Sequence, residues 1–254
     1  MADSSTIDNP LRTPAVDSAA TGLDFDQLDN PIWNALRSEH AELAQGDGLA
    51  RRYPAAIGPL SGMAEPNAEG YEALRSLAGP GGVVALFLKQ PATPPAGWTW
   101  VRDGRMNQMI YLPRNAPQPQ AAPLGVEIVE LTAADAPAMV ELAEFTEPGP
   151  FHLRTMELGM FFGIKESGRL LAMAGERMRW TKFVEVSAVC THPEARGRGY
   201  GSALIAKVIA HVLQIGKTPM LHVFTANLPA IRVYENLGFV LRRHLELAVL
   251  KNEA

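Results

Sequence analysis

The sequence predicts an α/β (α+β) protein in which a smaller N-terminal α/β domain, 23–112, precedes a C-terminal domain, 124–254. Three observations carry that expectation. The run Phe183 to Val189 is apolar and β-branched like a strand, and it leads through a proline-marked turn and three alternate glycines into a helical stripe. Runs typical of buried strands, Val83–Leu88 and Met220–Thr225, alternate with segments of helical periodicity. The stretch Pro113 to Pro123 holds four prolines, which oppose helix and sheet and favour an extended spacer, so the boundary falls there.

Residues 1–22 are rich in Ser, Ala, Thr, Asp and Pro without apolar periodicity and are expected to form a disordered tail. Asp29 or Asn30 with Pro31 marks the start of a helix expected to run through Trp33, Leu36 and His40 towards Leu43. A second helix spans 67–77 and ends at the Gly79-Pro80-Gly81-Gly82 break, and 106–112 is a further strand. After the linker, 126–131 reads as a strand. Thr132 is an N-cap with Asp135 at the capping-box position, ahead of a helix through Ala138, Met139, Leu142 and Phe145. Strands at 161–165 and 169–175 are joined by Glu166-Ser167-Gly168 as a hairpin. The helix that follows the glycines carries Leu204, Ile205, Val208, Ile209, Val212 and Leu213 on one stripe, and Gly216 stops it. Asn227 caps a short helix, 228–237, closed by Gly238.

Composition narrows the function. The chain has 254 residues, 47% hydrophobic and 20% charged, as in ordinary globular proteins. A net charge of −4 argues against nucleic acid as a partner. The single cysteine excludes an internal disulfide framework and fits a reducing compartment. With no long apolar run and no basic-then-apolar leader, a cytoplasmic protein with no membrane partner is expected. The sequence leaves a homo-oligomer open.

A strand that passes through glycines into a helix N-terminus makes a phosphate cradle. The first N–H groups of the helix have no internal partner, the dipole favours an anion, and glycine lets the anion approach the main chain. Arg196 and Arg198 add positive charge there. Three kinds of phosphate loop match part of this chain. A P-loop fails, because the lone Gly216-Lys217-Thr218 follows a helix and has His211 where the first glycine belongs. A dinucleotide fingerprint departs at Ser202 and lacks the acid on the next strand. What remains is Arg-x-x-Gly-x-Gly, met by Arg196, Gly199 and Gly201.

That pattern resembles motif A of the GNAT superfamily of acyl-CoA-dependent N-acyltransferases. Asn227, Ala230, Tyr234 and Gly238-Phe239 resemble its motif B. The resemblance covers about 125–251 and implies a GNAT fold, a mixed central sheet flanked by helices. It also implies acetyl-CoA, or a longer acyl-CoA, as co-substrate and a small-molecule primary amine as acceptor, without a metal. The stretches Arg154-Thr155-x-Glu157-Leu158-Gly159 and Ala172-Met173-Ala174-Gly175-Glu176-Arg177 are similar to the glycine N-acyltransferase-like branch, which suggests an amino-acid acceptor and a carboxylate-binding role for Arg154. The element order of the N-terminal half resembles a degenerate second GNAT copy, as in tandem members.

By the same resemblance, Val189, Cys190, Thr191, Arg196, Gly197, Arg198, Gly199, Tyr200, Gly201, Ser202 and Asn227 are the expected acyl-CoA contacts, with Asn227 also a helix cap. Main-chain N–H groups near Val189 and Cys190 would polarise the thioester carbonyl. Tyr234 would protonate the departing sulfur, unless its ring packs beneath the short helix. Glu185 would be the general base; alternation puts it with Ser187 and Val189 on one side of the strand, a polar strip that lines a cleft or faces solvent. Cys190 is expected to be inert, His192 structural and His222 a satisfied core residue, and no His or Cys spacing suggests a metal. The rival function is a non-catalytic acyl-CoA-binding regulatory or scaffold module.

Overall fold

The computed structural model describes residues 22–112, 125–146 and 149–253. The expected tail, apart from Gly22, and the expected linker lie outside the described residues. In chain order the elements are α1 Pro31–Ala35, β1 Ala50–Arg52, β2 Ser61–Met63, α2 Ala68–Ala78, β3 Val83–Leu88, β4 Trp98–Tyr111, β5 Ile128–Glu130, α3 Ala136–Thr146, β6 Phe161–Glu166, β7 Arg169–Arg179, β8 Phe183–Thr191, α4 Tyr200–Gln214, β9 Thr218–Phe224, α5 Leu228–Asn236 and β10 Phe239–Asn252.

One mixed sheet of eight strands carries the fold, in the order β3-β10-β4-β9-β8-β7-β6-β5. Every neighbouring pair is antiparallel except β8 and β9. A parallel pair needs a long crossover, and α4 supplies it. Strand β4, which precedes the linker in sequence, lies between β10 and β9, which follow it. The linker therefore divides the chain by composition, while the sheet runs continuously across it. Composition does not encode pairing partners.

Strands β8 and β9 position the site. They pair only over Phe183↔Thr218, Val184↔Pro219 and Glu185↔Met220, although β8 runs on to Thr191 and β9 to Phe224. On its other side β8 carries one extra residue between Ser187↔Gly175 and Cys190↔Met173, with Ala188 at φ 50°. Such a bulge bends the strand and leaves a residue outside the ladder. The two strands splay beyond Glu185.

Helix α4 buries Leu204, Ile205, Val208, Ile209 and Val212 against Val184, Val186, Leu221 and Val223 on one face of the sheet. Leu213, expected on that stripe, is 47% exposed. The opposite face is covered twice. Helix α3 packs Met139, Leu142 and Ala143 on Leu170, Met173 and Cys190, while Phe25, Leu28, Ile32 and Tyr53 pack on Phe183, Met220 and Leu245. The expected capping box forms, with the Thr132 N–H donating to Asp135 at 2.8 Å. Asn67 caps α2 by accepting from the Gly70 N–H at 2.9 Å. The helix expected to reach Leu43 stops at Ala35. At its start Asn30 spends its amide on the Met63 carbonyl at 2.8 Å, and beyond its end His40 turns inward to bond the Tyr53 hydroxyl at 2.7 Å.

Candidate functional site

The loop from β8 to α4 turns through Gly197 and Gly199, whose φ values of 76° and 78° are left-handed and suit glycine. Gly199 is the N-cap of α4, and the first helical bond runs from the Ala203 N–H to the Gly199 carbonyl at 3.0 Å. The N–H groups of Tyr200, Gly201 and Ser202 precede that bond and face the same end. A cleft of about 350 Å³ opens over them, bounded across from the loop by Ala230, Val233 and Tyr234 of α5. Of the residues expected to hold an acyl-CoA, Val189, Thr191, Arg196, Gly197 and the run Gly199 to Ser202 line it. Cys190, Arg198 and Asn227 are not among its lining residues. Arg198 turns to Glu166 at 3.2 Å, and Asn227 caps α5 by accepting from the Ala230 N–H at 3.3 Å.

The space above the glycines fits a bulky anion. A Cβ added at Gly197 would meet nothing within 4 Å, and one at Gly201 would meet only the Thr191 hydroxyl at 3.6 Å. Arg196 is exposed, and among the described residues its one bond, Nε to the Thr191 carbonyl at 3.4 Å, leaves the end of the guanidinium available. These groups match the pyrophosphate of acetyl-CoA in charge and donor type.

Around the splay the strands bring charged side chains together. Glu185 is fully buried, and its carboxylate accepts from Arg177 Nε at 2.8 Å and Nη2 at 2.5 Å. His222 Nδ1 lies 2.7 Å from the same carboxylate. Gln108 fixes the histidine's tautomer. Its amide donates to the Leu28 carbonyl at 2.9 Å and its carbonyl accepts from Arg242 at 2.6 Å, so its remaining N–H points at His222 Nε2, 3.0 Å away. Nε2 accepts, Nδ1 carries the proton, and a neutral His222 donates to Glu185. Burial lowers the His222 pKa, consistent with that state. Burial alone would raise the Glu185 carboxyl, but Arg177 and then His222 outweigh it and hold it at about 2.

The structure places Glu185, the expected general base, in a buried ion pair with Arg177 beside His222. Both its oxygens are occupied, no solvent reaches it, and a carboxylate at about 2 has little affinity for an amine's proton. Its neighbours on the strip do face a cleft. A cavity of about 30 Å³ is bounded by Pro150, Phe151, Phe161, Arg177, Ser187 and Ala188. Ala188 packs with the α3 side and lines the small cavity, and Val189 packs with the α4 side and lines the large cleft, so the bulge borders both.

A model of the FR47-like protein family matches residues 161–248. The crystal structure of a GNAT-family protein from Novosphingobium aromaticivorans DSM 12444 aligns at a TM-score of 0.80 with 40% identity, covering 89% of this chain and 99% of that one. The chain belongs to the GNAT family of acetyltransferases. A GCN5-related N-acetyltransferase from Kribbella flavida shares the fold, with a TM-score of 0.58 and 18% identity over 89% of this chain and 93% of that one. A curated relative, mycothiol acetyltransferase of Streptomyces scabiei strain 87.22, is 39% identical over 84 residues; this chain spans only 27% of that protein's length.

The remaining expected residues of this GNAT acetyltransferase take definite places. The Tyr234 ring packs edge-on to Phe239 at 6.0 Å and also lines the large cleft, and burial pushes its hydroxyl up to about 12. Burial raises the Cys190 thiol to about 11, so it is a neutral packing group at pH 7. His192 accepts from the Glu194 N–H at 3.4 Å and stacks on Phe145. Arg154 is exposed and spends Nε and Nη2 on Glu157 at 2.6 and 2.8 Å, away from the small cavity. Among the described residues no three His, Cys, Asp or Glu side chains gather as metal ligands. Arg177 is the site residue that the sequence did not single out. Its signal was a cation next to Glu176 in a largely buried strand, beside a strand with one acid among apolar neighbours.

Proposed function

We propose that this GNAT acetyltransferase transfers acetyl from acetyl-CoA to the primary amine of a small molecule by direct attack in a ternary complex. The observation that supports the reading is the Ser187–Val189 bulge, whose residues border two cavities, one floored by a helix N-terminus and glycines, the other on the opposite side of the sheet. The main chain at the bulge, outside the β7–β8 ladder, is assigned to the thioester carbonyl, a contribution of a few kcal/mol.

An amine with a pKa near 10.4 must lose its proton before attack, which costs about 4 to 5 kcal/mol at pH 7. With Glu185 held at about 2, that proton goes to solvent water. Tyr234 stays protonated at neutral pH, and its O–H hydrogen-bonds the developing thiolate. Complete transfer from a hydroxyl at about 12 to a thiolate of pKa about 8.5 would be uphill by about 5 kcal/mol, so the tyrosine's contribution is a hydrogen bond, and the thiolate released as the C–S bond breaks takes up the second proton shed by the attacking nitrogen. No described helix is long and apolar enough to cross a membrane, and we assign the enzyme to the cytoplasm.

Initial-rate kinetics test the order of events. A ternary complex gives intersecting double-reciprocal lines for acetyl-CoA and amine, and Cys190→Ala retains the rate. Parallel lines together with acetylated Cys190 would overturn direct attack.

A further inference from the structure

We propose that the acceptor is an amino acid whose carboxylate is bound by Arg177 and Ser187, so that this enzyme acetylates an amine two or three atoms from an anionic group. The proposal rests on the acetyl-transfer reading above and specifies its acceptor. The small cavity has room for about two waters or one planar anion of that size. Its unspent polar groups are donors. Arg177 uses Nε and Nη2 on Glu185, and among the described residues nothing meets its Nη1. The Ser187 hydroxyl likewise has no partner among the described residues, and Thr155 is engaged with the Ile57 carbonyl at 2.6 Å. Glu176, the acid beside this cavity, gives Oε2 to Arg179 and the Met160 N–H, and its Oε1, which has no hydrogen-bond partner among the described residues, is buried from solvent 3.5 Å from His211 Nε2. The one unpartnered acceptor at a described lining side chain, Glu176 Oε1, is buried from solvent and out of an ammonium's reach, whereas a carboxylate finds a cation and a hydroxyl.

The guanidinium is held in place before any ligand arrives. Glu185 grips two of its nitrogens, the Phe87 ring lies under it at 5.3 Å, and Asp29, Arg242, Gln108 and His222 brace Glu185 in turn. A planar cation fixed by one carboxylate and presenting another edge to a second is a geometry that arginine provides and lysine does not. Ser187 and Val189 stand in one bulge, so only a short gap separates the anion pocket from the splay where the acetyl group would lie. Only a short amino acid spans that gap with its amine at the thioester.

The test compares free amino acids with their amides: glycine, alanine and β-alanine against glycinamide, alaninamide and β-alaninamide, with CoA release as readout and acetyl-CoA binding measured separately by calorimetry. The wild type is expected to favour acids over amides by at least tenfold in kcat/KM. Arg177→Lys and Ser187→Ala, the second leaving the Arg177–Glu185 pair intact, are expected to lower kcat/KM for the acids by about 10- to 100-fold and by severalfold, respectively. Amides should change little, and acetyl-CoA affinity should stay within twofold. If amides match acids in the wild type, or both fall together in Ser187→Ala, the carboxylate assignment is wrong while acetyl transfer stands. If the wild type binds no acetyl-CoA, both proposals fail.

Discussion

Replacing Glu185 by Gln removes the charge that faces Arg177 and His222 while keeping the side chain's size. The carboxyl titrates at about 2 in the folded protein against 4.5 as an ordinary glutamate, a difference of about 2.5 pH units. At 1.36 kcal/mol for each, the charge contributes about 3 kcal/mol at neutral pH. Breaking a buried ion pair by removing one partner costs about 3 to 5 kcal/mol, the same size, because the Arg177 cation is left in a low-dielectric site without its counter-charge. The sign follows from the lowered pKa. The contribution is present in full above about 4.5 and is lost as pH falls towards 2. Urea unfolding of wild type and Glu185→Gln at pH 7, 5, 4 and 3 should therefore show a gap of about 3 kcal/mol at pH 7 and 5, shrinking to less than half by pH 3. The melting temperature at pH 7 should drop by about 6 to 12 °C. A gap below about 1 kcal/mol at pH 7, or one that persists undiminished at pH 3, would refute this account of the buried pair.

Other substitutions separate chemistry from scaffolding. Tyr234→Phe should lower kcat by about 10- to 100-fold with the acetyl-CoA dissociation constant within twofold, read by steady-state kinetics and calorimetry. Asn227→Ala should cost about 1 kcal/mol in unfolding experiments while leaving acetyl-CoA affinity unchanged, since Asn227 caps α5 outside the cleft. Because Glu185, Cys190 and Tyr234 keep one charge state from pH 5 to 9, kcat/KM for an amine should rise with pH up to the amine's own pKa. A rising limb near pH 6 to 7 that is independent of the amine used would instead reveal a protein base.

Much of the second half was legible because its signals are local. Glycines at 197, 199 and 201, the period-3.6 stripe from Leu204 to Val212 and the caps at Thr132 and Asn227 each depend on residues within a turn or two. What was hidden depends on partners far along the chain. Alternation placed Glu185, Ser187 and Val189 on one side of β8, but the bulge turns Val189 to the α4 side, and alternation could not show that Arg177, from the neighbouring strand, and His222, from across the splay, would close over the carboxylate. The insertion of β4 between β10 and β9 was equally invisible, because each strand reads alike whichever neighbour it pairs with. Strands β1 and β2, three residues each, are too short to show a period.

The claim on which the rest depends is that the N-terminus of α4 holds acetyl-CoA. Gly201 has an ordinary helical φ and space for a side chain, so Gly201→Glu puts a carboxylate at the cradle without straining the backbone. Calorimetric titration of acetyl-CoA into wild type and Gly201→Glu, with melting temperatures recorded for both, is the direct measurement. The account predicts binding by the wild type and at least tenfold weaker binding by the variant at an unchanged melting temperature. Equal binding by both, or none by the wild type, would contradict it.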